Sequence, residues 1–193
     1  MKVFVALEVS TYIRRALVQT QSKLADMVSD RTDIKSIVEP CDFHITLRYI
    51  GPVDDIQAID ERLKTLTFSR FLLKTDSLGF FNQEQCLVVW AGISGEVDKL
   101  QDLKRAVDYA LCDLPCAPAE HEFIPHITLL YLNEKTASTF WDTSIEKIEM
   151  EVKRINLYEI VCRGATEHFR VIRSFMAGEG KRHNENDSNP MHQ

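Results

Sequence analysis

Phe43-His44-Ile45-Thr46-Leu47 and Pro125-His126-Ile127-Thr128-Leu129 share the tetrapeptide His-Ile-Thr-Leu, with the two histidines 82 residues apart. Side chains of a strand alternate between faces, so His44 and Thr46 project to one side while Ile45 and Leu47 project to the other. His126 and Thr128 repeat the arrangement. One such stretch is no more than a half-buried strand. Two copies, each approached through a proline (Pro40, Pro125) and each running on into an aromatic and an apolar residue (Tyr49-Ile50, Tyr131-Leu132), imply a duplicated polar face.

The surrounding chain supplies an element pattern for each copy. Lys2 to Glu8 reads as a buried strand, and Ser10 or Thr11 as the cap of a helix. Ile13, Ala16, Leu17, Leu24 and Val28 form that helix's apolar stripe. Asp54 and Asp55 open a second helix, striped by Ile56, Ile59, Leu63 and Leu66. Residues 71–77, 79–81 and 86–93 read as two or three strands with a turn at 82–84. A third helix carries Val97, Leu100, Leu103, Val107, Ala110, Leu111 and Leu114, until Pro115 and Pro118 break it. From Asn133 to Trp141 the pattern is helix-like, and strands are expected near 148–152, 154–161 and 168–175. The fold class is α+β: a bilobal domain over residues 1–177, with two mixed or antiparallel sheets and flanking helices. The lobes face a central cleft, one His-x-Thr strand to each half. Residues 178–193 are polar except for Met191 and are expected to be a disordered tail.

Composition narrows the class. A hydrophobic fraction of 45% and a charged fraction of 27% are those of an ordinary globular domain. No run of about 18 apolar residues marks a membrane span. Five scattered cysteines without a Cys-x-x-Cys fit a reducing, cytoplasmic setting better than a disulfide framework. Cys112, Cys116 and His121 are poorly spaced for zinc and lack a fourth partner. The net charge of −6 argues against coating nucleic acid by bulk electrostatics, though not against a cleft that grips one phosphate. No exposed apolar helix stands out, so a monomer is expected.

The paired motifs suit phosphate chemistry. In-line displacement at phosphorus without a metal needs a base on the attack side and an acid on the departure side. Imidazole, with an unperturbed pKa of about 6.5, serves as either. Thr46 and Thr128 are placed to donate to the non-bridging oxygens. Arg48 continues the 44, 46, 48 alternation and is a candidate phosphate contact; a solvated surface arginine is the competing reading. Tyr131 is a candidate base-stacking residue or a packing residue. No Gly-x-Ser-x-Gly elbow, phosphate-cradling glycine loop or helical His pair points to another chemistry, so no cofactor or metal is expected.

The paired motifs and their setting resemble the 2H phosphoesterase superfamily, above all its RNA 2',3'-cyclic phosphodiesterase (2'-5' RNA ligase-like) branch. The resemblance runs through Lys2-Val3-Phe4-Val5-Ala6-Leu7, the first motif to Gly51, Val89-Trp90-Ala91-Gly92, the second motif, and Ile155-Asn156-Leu157-Tyr158-Glu159. It implies a bilobal α+β fold, no metal, and hydrolysis of a 2',3'-cyclic phosphate end to a 2'-phosphate. His44 would be the acid at the 3' oxygen, His126 the base, and Thr46 and Thr128 the phosphate holders. Reversible ligation of a 5'-hydroxyl without ATP is also implied. The chain departs from the family at Leu130-Tyr131-Leu132, where many members carry a basic residue, and at Ile37-Val38-Glu39-Pro40-Cys41 before the first motif. Those departures leave the substrate open. The alternatives are 2'-5' oligoadenylate, ADP-ribose cyclic phosphate or a cyclic nucleotide signal, and, from another class, a non-catalytic module that binds RNA ends.

Overall fold

A computed structural model of the chain describes residues 1–28, 30–83, 85–118, 122–133, 144–164 and 166–178. Its nine strands among the described residues are β1 (Lys2–Glu8), β2 (Ile34–Ile37), β3 (His44–Pro52), β4 (Phe71–Gln83), β5 (Cys86–Gly95), β6 (His126–Leu132), β7 (Glu149–Val152), β8 (Arg154–Arg163) and β9 (Thr166–Met176). The helices are α1 (Thr11–Met27), α2 (Gln57–Lys64) and α3 (Val97–Ala110). They form two antiparallel sheets, ordered β3-β1-β8-β9 and β2-β6-β5-β4-β7. The expected helix over 133–141 and the expected tail fall almost wholly outside the described residues.

The lobes are not sequence halves. The first sheet joins β1 and β3 from the start of the chain to β8 and β9 from its end, while the second takes the middle plus β2. A loose internal two-fold underlies this: β3-β1-β8-β9 and β6-β5-β4-β7 each put a motif strand beside the strand that leads into a long helix. The helices cross over. α3 packs on β3, and α1 packs on β6. One polar side chain pins each crossing: buried Gln21 of α1 donates to the carbonyls of Val38 (2.8 Å) and Leu129 (2.6 Å), and Arg48 of β3 pairs with Asp108 of α3.

Local sequence accounts for the elements. Ser10 caps α1 by accepting the Ile13 N–H, and Asp55 accepts the Gln57 N–H, so α2 begins at Gln57 rather than at the aspartates themselves. The stretch expected as separate strands is one long strand, β4, with a register slip between Thr75 and Leu78. Buried Thr75 spans the slip by donating to Glu146 O and accepting the Ile148 N–H. Both sheets and all three helices contribute to one apolar core. Ile45, Leu47, Ile127 and Leu129, the apolar half of the two motifs, are each at most 2% exposed. Each contributes about 1.5–3 kcal/mol by leaving water. That burial holds the opposite face of each motif toward the cleft.

Candidate active site

The motif strands carry matching irregularities. In the β1–β3 ladder Ala6 faces Thr46 and Val5 faces Arg48, so Leu47 has no partner. In the β5–β6 ladder Trp90 faces Thr128 and Val89 faces Leu130, so Leu129 has none. The unpaired residue is the leucine of His-Ile-Thr-Leu both times. An extra residue in a strand reverses the side-chain alternation beyond it. Arg48 is therefore carried away from the His44/Thr46 face: its guanidinium donates to Ala117 O (2.9 Å) and lies 3.8 Å from Asp108. It does not line the cleft, which corrects the alternation-based expectation. Tyr131, by the same reversal, turns into the cleft instead of the core.

His44, Thr46, Thr128 and Tyr131 line one cavity of about 570 Å³, walled further by Lys35, Glu39, Glu167 and Phe169. His126 is not part of that wall, but its charge acts on His44. The two imidazoles are held alike. Nδ1 of His44 lies 2.7 Å from Asp42 O, and Nδ1 of His126 lies 2.7 Å from Ile124 O. A carbonyl only accepts, so each Nδ1 carries a proton, and Nε2 is left as the ring's free nitrogen. Aromatic rings complete each seat. His44 packs on Phe4 (4.9 Å) and against Phe169 (4.8 Å, edge-on), and His126 packs against Phe81 (4.9 Å, edge-on) and Trp90 (5.8 Å).

Burial lowers the pKa of both rings. For His44 the neighbouring His126 charge adds to the lowering, while the hydrogen bond to Asp42 and the Asp42 charge oppose it. For His126 the hydrogen bond to Ile124 is the opposing effect. Burial also raises the Tyr131 phenol, which keeps it a neutral donor. An anion in the cleft would favour the protonated form of a ring beside it.

Several supporting residues carried no periodic signal in sequence. Asp42 is 5% exposed, and its carboxylate accepts from His168 Nδ1 (2.9 Å) and from the Phe169 N–H (3.0 Å). Glu39, Asp42 and His168 are the one cluster of possible metal ligands among the described residues. Asp42 and His168 already spend their converging atoms on these hydrogen bonds, so the cluster reads as a clasp rather than a metal centre. Cys116 Sγ faces the Leu111 carbonyl, and Cys112 is exposed; His121 lies outside the described residues. All five cysteines are free. Gly79 makes room for the His126 seat, because a Cβ there would meet the Trp90 indole at 2.2 Å. No described helix is long and apolar enough to cross a membrane.

Comparison with known proteins agrees with this fold. Residues 38–161 match the family model of the 2'-5' RNA ligase superfamily. The RNA 2',3'-cyclic phosphodiesterase of Aeropyrum pernix is 35% identical over 111 residues, covering 56% of this chain and 63% of that protein. The protein of the same name from Archaeoglobus fulgidus is 29% identical over 182 residues, covering 91% of this chain and 99% of the relative. The crystal structure of E. coli LigT complexed with 3'-AMP shares the fold, with a TM-score of 0.78 at 18% identity over 92% of this chain and 98% of that one.

Proposed function

The chain belongs to the 2'-5' RNA ligase superfamily, and from that premise we propose that it hydrolyses RNA 2',3'-cyclic phosphate ends to 2'-phosphates. The observation that carries the reading is the pair of imidazoles fixed through Nδ1, each two residues from a threonine on its strand, with Thr46 and Thr128 in one cleft. His126 Nε2 takes a proton from water as the water oxygen bonds to phosphorus. The bond to the 3' oxygen breaks on the far side, and His44 Nε2 gives that oxygen its proton. Thr46 and Thr128 donate to the non-bridging oxygens, whose charge grows in the transition state. The rings exchange protonation states in one turnover, so the pair takes up no net proton, and the 2'-phosphate formed then loses its second proton to solvent, with a pKa of about 6. A 5'-hydroxyl in place of water gives a 2'-5' linkage by the same displacement, with no ATP. The relatives named for this activity support the reading.

A smaller substrate is the second reading, favoured by the cleft wall itself, where Lys35 stands against Glu39, Asp42 and Glu167. Such a wall suits a mononucleotide or dinucleotide ester better than a long polyanionic strand. We also place the protein in the cytoplasm, which the five free cysteines fit, and take it as a monomer.

Turnover of a 2',3'-cyclic mononucleotide, a cyclic-ended oligoribonucleotide, a 2'-5' dimer and ADP-ribose cyclic phosphate, with product phosphate position read by NMR, separates these readings. His44→Ala and His126→Ala are each expected to lower turnover by about a hundredfold or more, and EDTA is expected to leave it unchanged. Wild-type turnover in both variants would refute the mechanism. Binding of a cyclic end without turnover would make the chain an RNA-end binding module.

A further inference from the structure

The two histidine seats differ in one respect. The residue two before His126 is Ile124, whose side chain is apolar and 44% exposed. The residue two before His44 is Asp42, whose side chain is buried and doubly bonded. We propose that Asp42 is a positioning residue for His44, acting as a clasp between the first motif and strand β9, some 126 residues further along the chain. This deepens the reading of His44 as a proton carrier and rests on it.

The clasp works from both ends of the residue. The Asp42 carbonyl accepts His44 Nδ1–H at 2.7 Å, which keeps the proton on Nδ1 and the lone pair or second proton on Nε2. The Asp42 carboxylate is buried, so leaving it unpaired would be costly, and it finds two donors on β9. One is His168 Nδ1. The other is the main-chain N–H of Phe169, whose ring edge lies 4.8 Å from the His44 ring. The carboxylate thus fixes where the carbonyl stands, and it fixes the aromatic wall on the ring's other side. Asp42 closes a short 3-10 turn, Pro40–Asp42, which has no side-chain cap of its own. Within that turn the Asp42 N–H donates to Glu39 O (2.9 Å), and the two bonds of the carboxylate tie the turn to β9. Beside His126 the corresponding position is the exposed Ile124, and the ring is seated by Phe81 and Trp90 without a buried carboxylate at that position.

The test reads the His44 and His126 tautomers by nitrogen-15 NMR of the full chain without substrate, together with kcat and KM on a 2',3'-cyclic nucleotide. Asp42→Ala is expected to turn the single Nδ1–H form of His44 into a tautomer mixture while leaving His126 unchanged. It should lower kcat about tenfold or more with KM within about twofold. Asp42→Asn should restore both readouts to near wild type, because the amide oxygen still accepts the Phe169 N–H and the amide nitrogen still meets an imidazole in its other tautomer. A folded Asp42→Ala protein in which His44 keeps one tautomer would overturn the proposal. So would an Asp42→Asn protein as impaired as Asp42→Ala. If Asp42→Ala does not fold, His168→Ala removes one arm of the clasp: partial tautomer mixing at His44 supports the proposal, and an unaltered His44 overturns it. The spectra need no substrate, so a failure of the proposed activity leaves this result readable by itself.

Discussion

Gly79→Ala tests whether the His126 seat is as tightly built as its geometry indicates. Gly79 and Trp90 are cross-strand partners on β4 and β5, and the indole lies across the glycine. A methyl group at position 79 would meet three indole carbons at 2.2, 2.3 and 2.6 Å, where ordinary contact begins near 3.4 Å. The ring must then withdraw by about 1 Å. It is not the loose end of a flexible chain, since it packs on Phe81 at 5.0 Å and on His126 at 5.8 Å. Overpacking of this kind costs about 1–3 kcal/mol. The same movement disturbs His126, the base of the proposed mechanism, and a misplacement near 1 Å at a reacting group costs up to about a hundredfold. The expected result is a lowered urea midpoint with an unchanged slope, and a fall in kcat of about tenfold. Trp90→Phe, added to Gly79→Ala, should recover part of the stability, because the smaller ring leaves room for the methyl. A Gly79→Ala protein with wild-type midpoint and wild-type kcat would show that the indole does not lie where the argument needs it.

The pH dependence follows from the two lowered imidazoles. The proposed mechanism needs one ring neutral and one protonated, so the kcat/KM profile of the free enzyme should be a bell centred on the acid side of 6.5, the ordinary imidazole value; an optimum above about 7.5 would refute the burial argument. The same depression has a stability consequence: the unfolded chain binds these protons first, so both groups favour the fold above pH 6.5 and that contribution is lost as pH falls through their folded values. Arg48→Met should leave kcat and KM within about threefold while lowering stability by about 1–3 kcal/mol, the scale of a lost charged hydrogen bond. A tenfold rise in KM at unchanged stability would instead return Arg48 to the phosphate.

Much of the protein was legible from local pattern. The helices of residues 11–27 and 97–110 show in their apolar spacing, and the motif strands show in their alternation. The pairs His44 with Thr46 and His126 with Thr128 needed nothing more than the pleat of a strand. Arg48 and Tyr131 mark where this reasoning stopped. Their faces depend on Leu47 and Leu129 lacking partners, and a partner is a property of the neighbouring strand. The single strand β4, read as separate pieces, has the same explanation in the Thr75 slip.

What the sequence determined by itself is therefore the chemistry at hand: two imidazoles and two hydroxyls, presented in matched pairs by strands whose opposite faces are apolar. Side-chain alternation is a local consequence of backbone dihedrals, so it can be read without knowing the fold. What the tertiary structure decided is which other residues join them. It interleaved the ends of the chain into one sheet, slipped both motif ladders by one residue, sent Arg48 to Asp108 and turned Tyr131 into the cleft. It also set the Asp42 carboxylate on His168 and Phe169. Those choices come from hydrogen-bond pairing and burial between segments far apart in the chain, and no spacing along one strand encodes them.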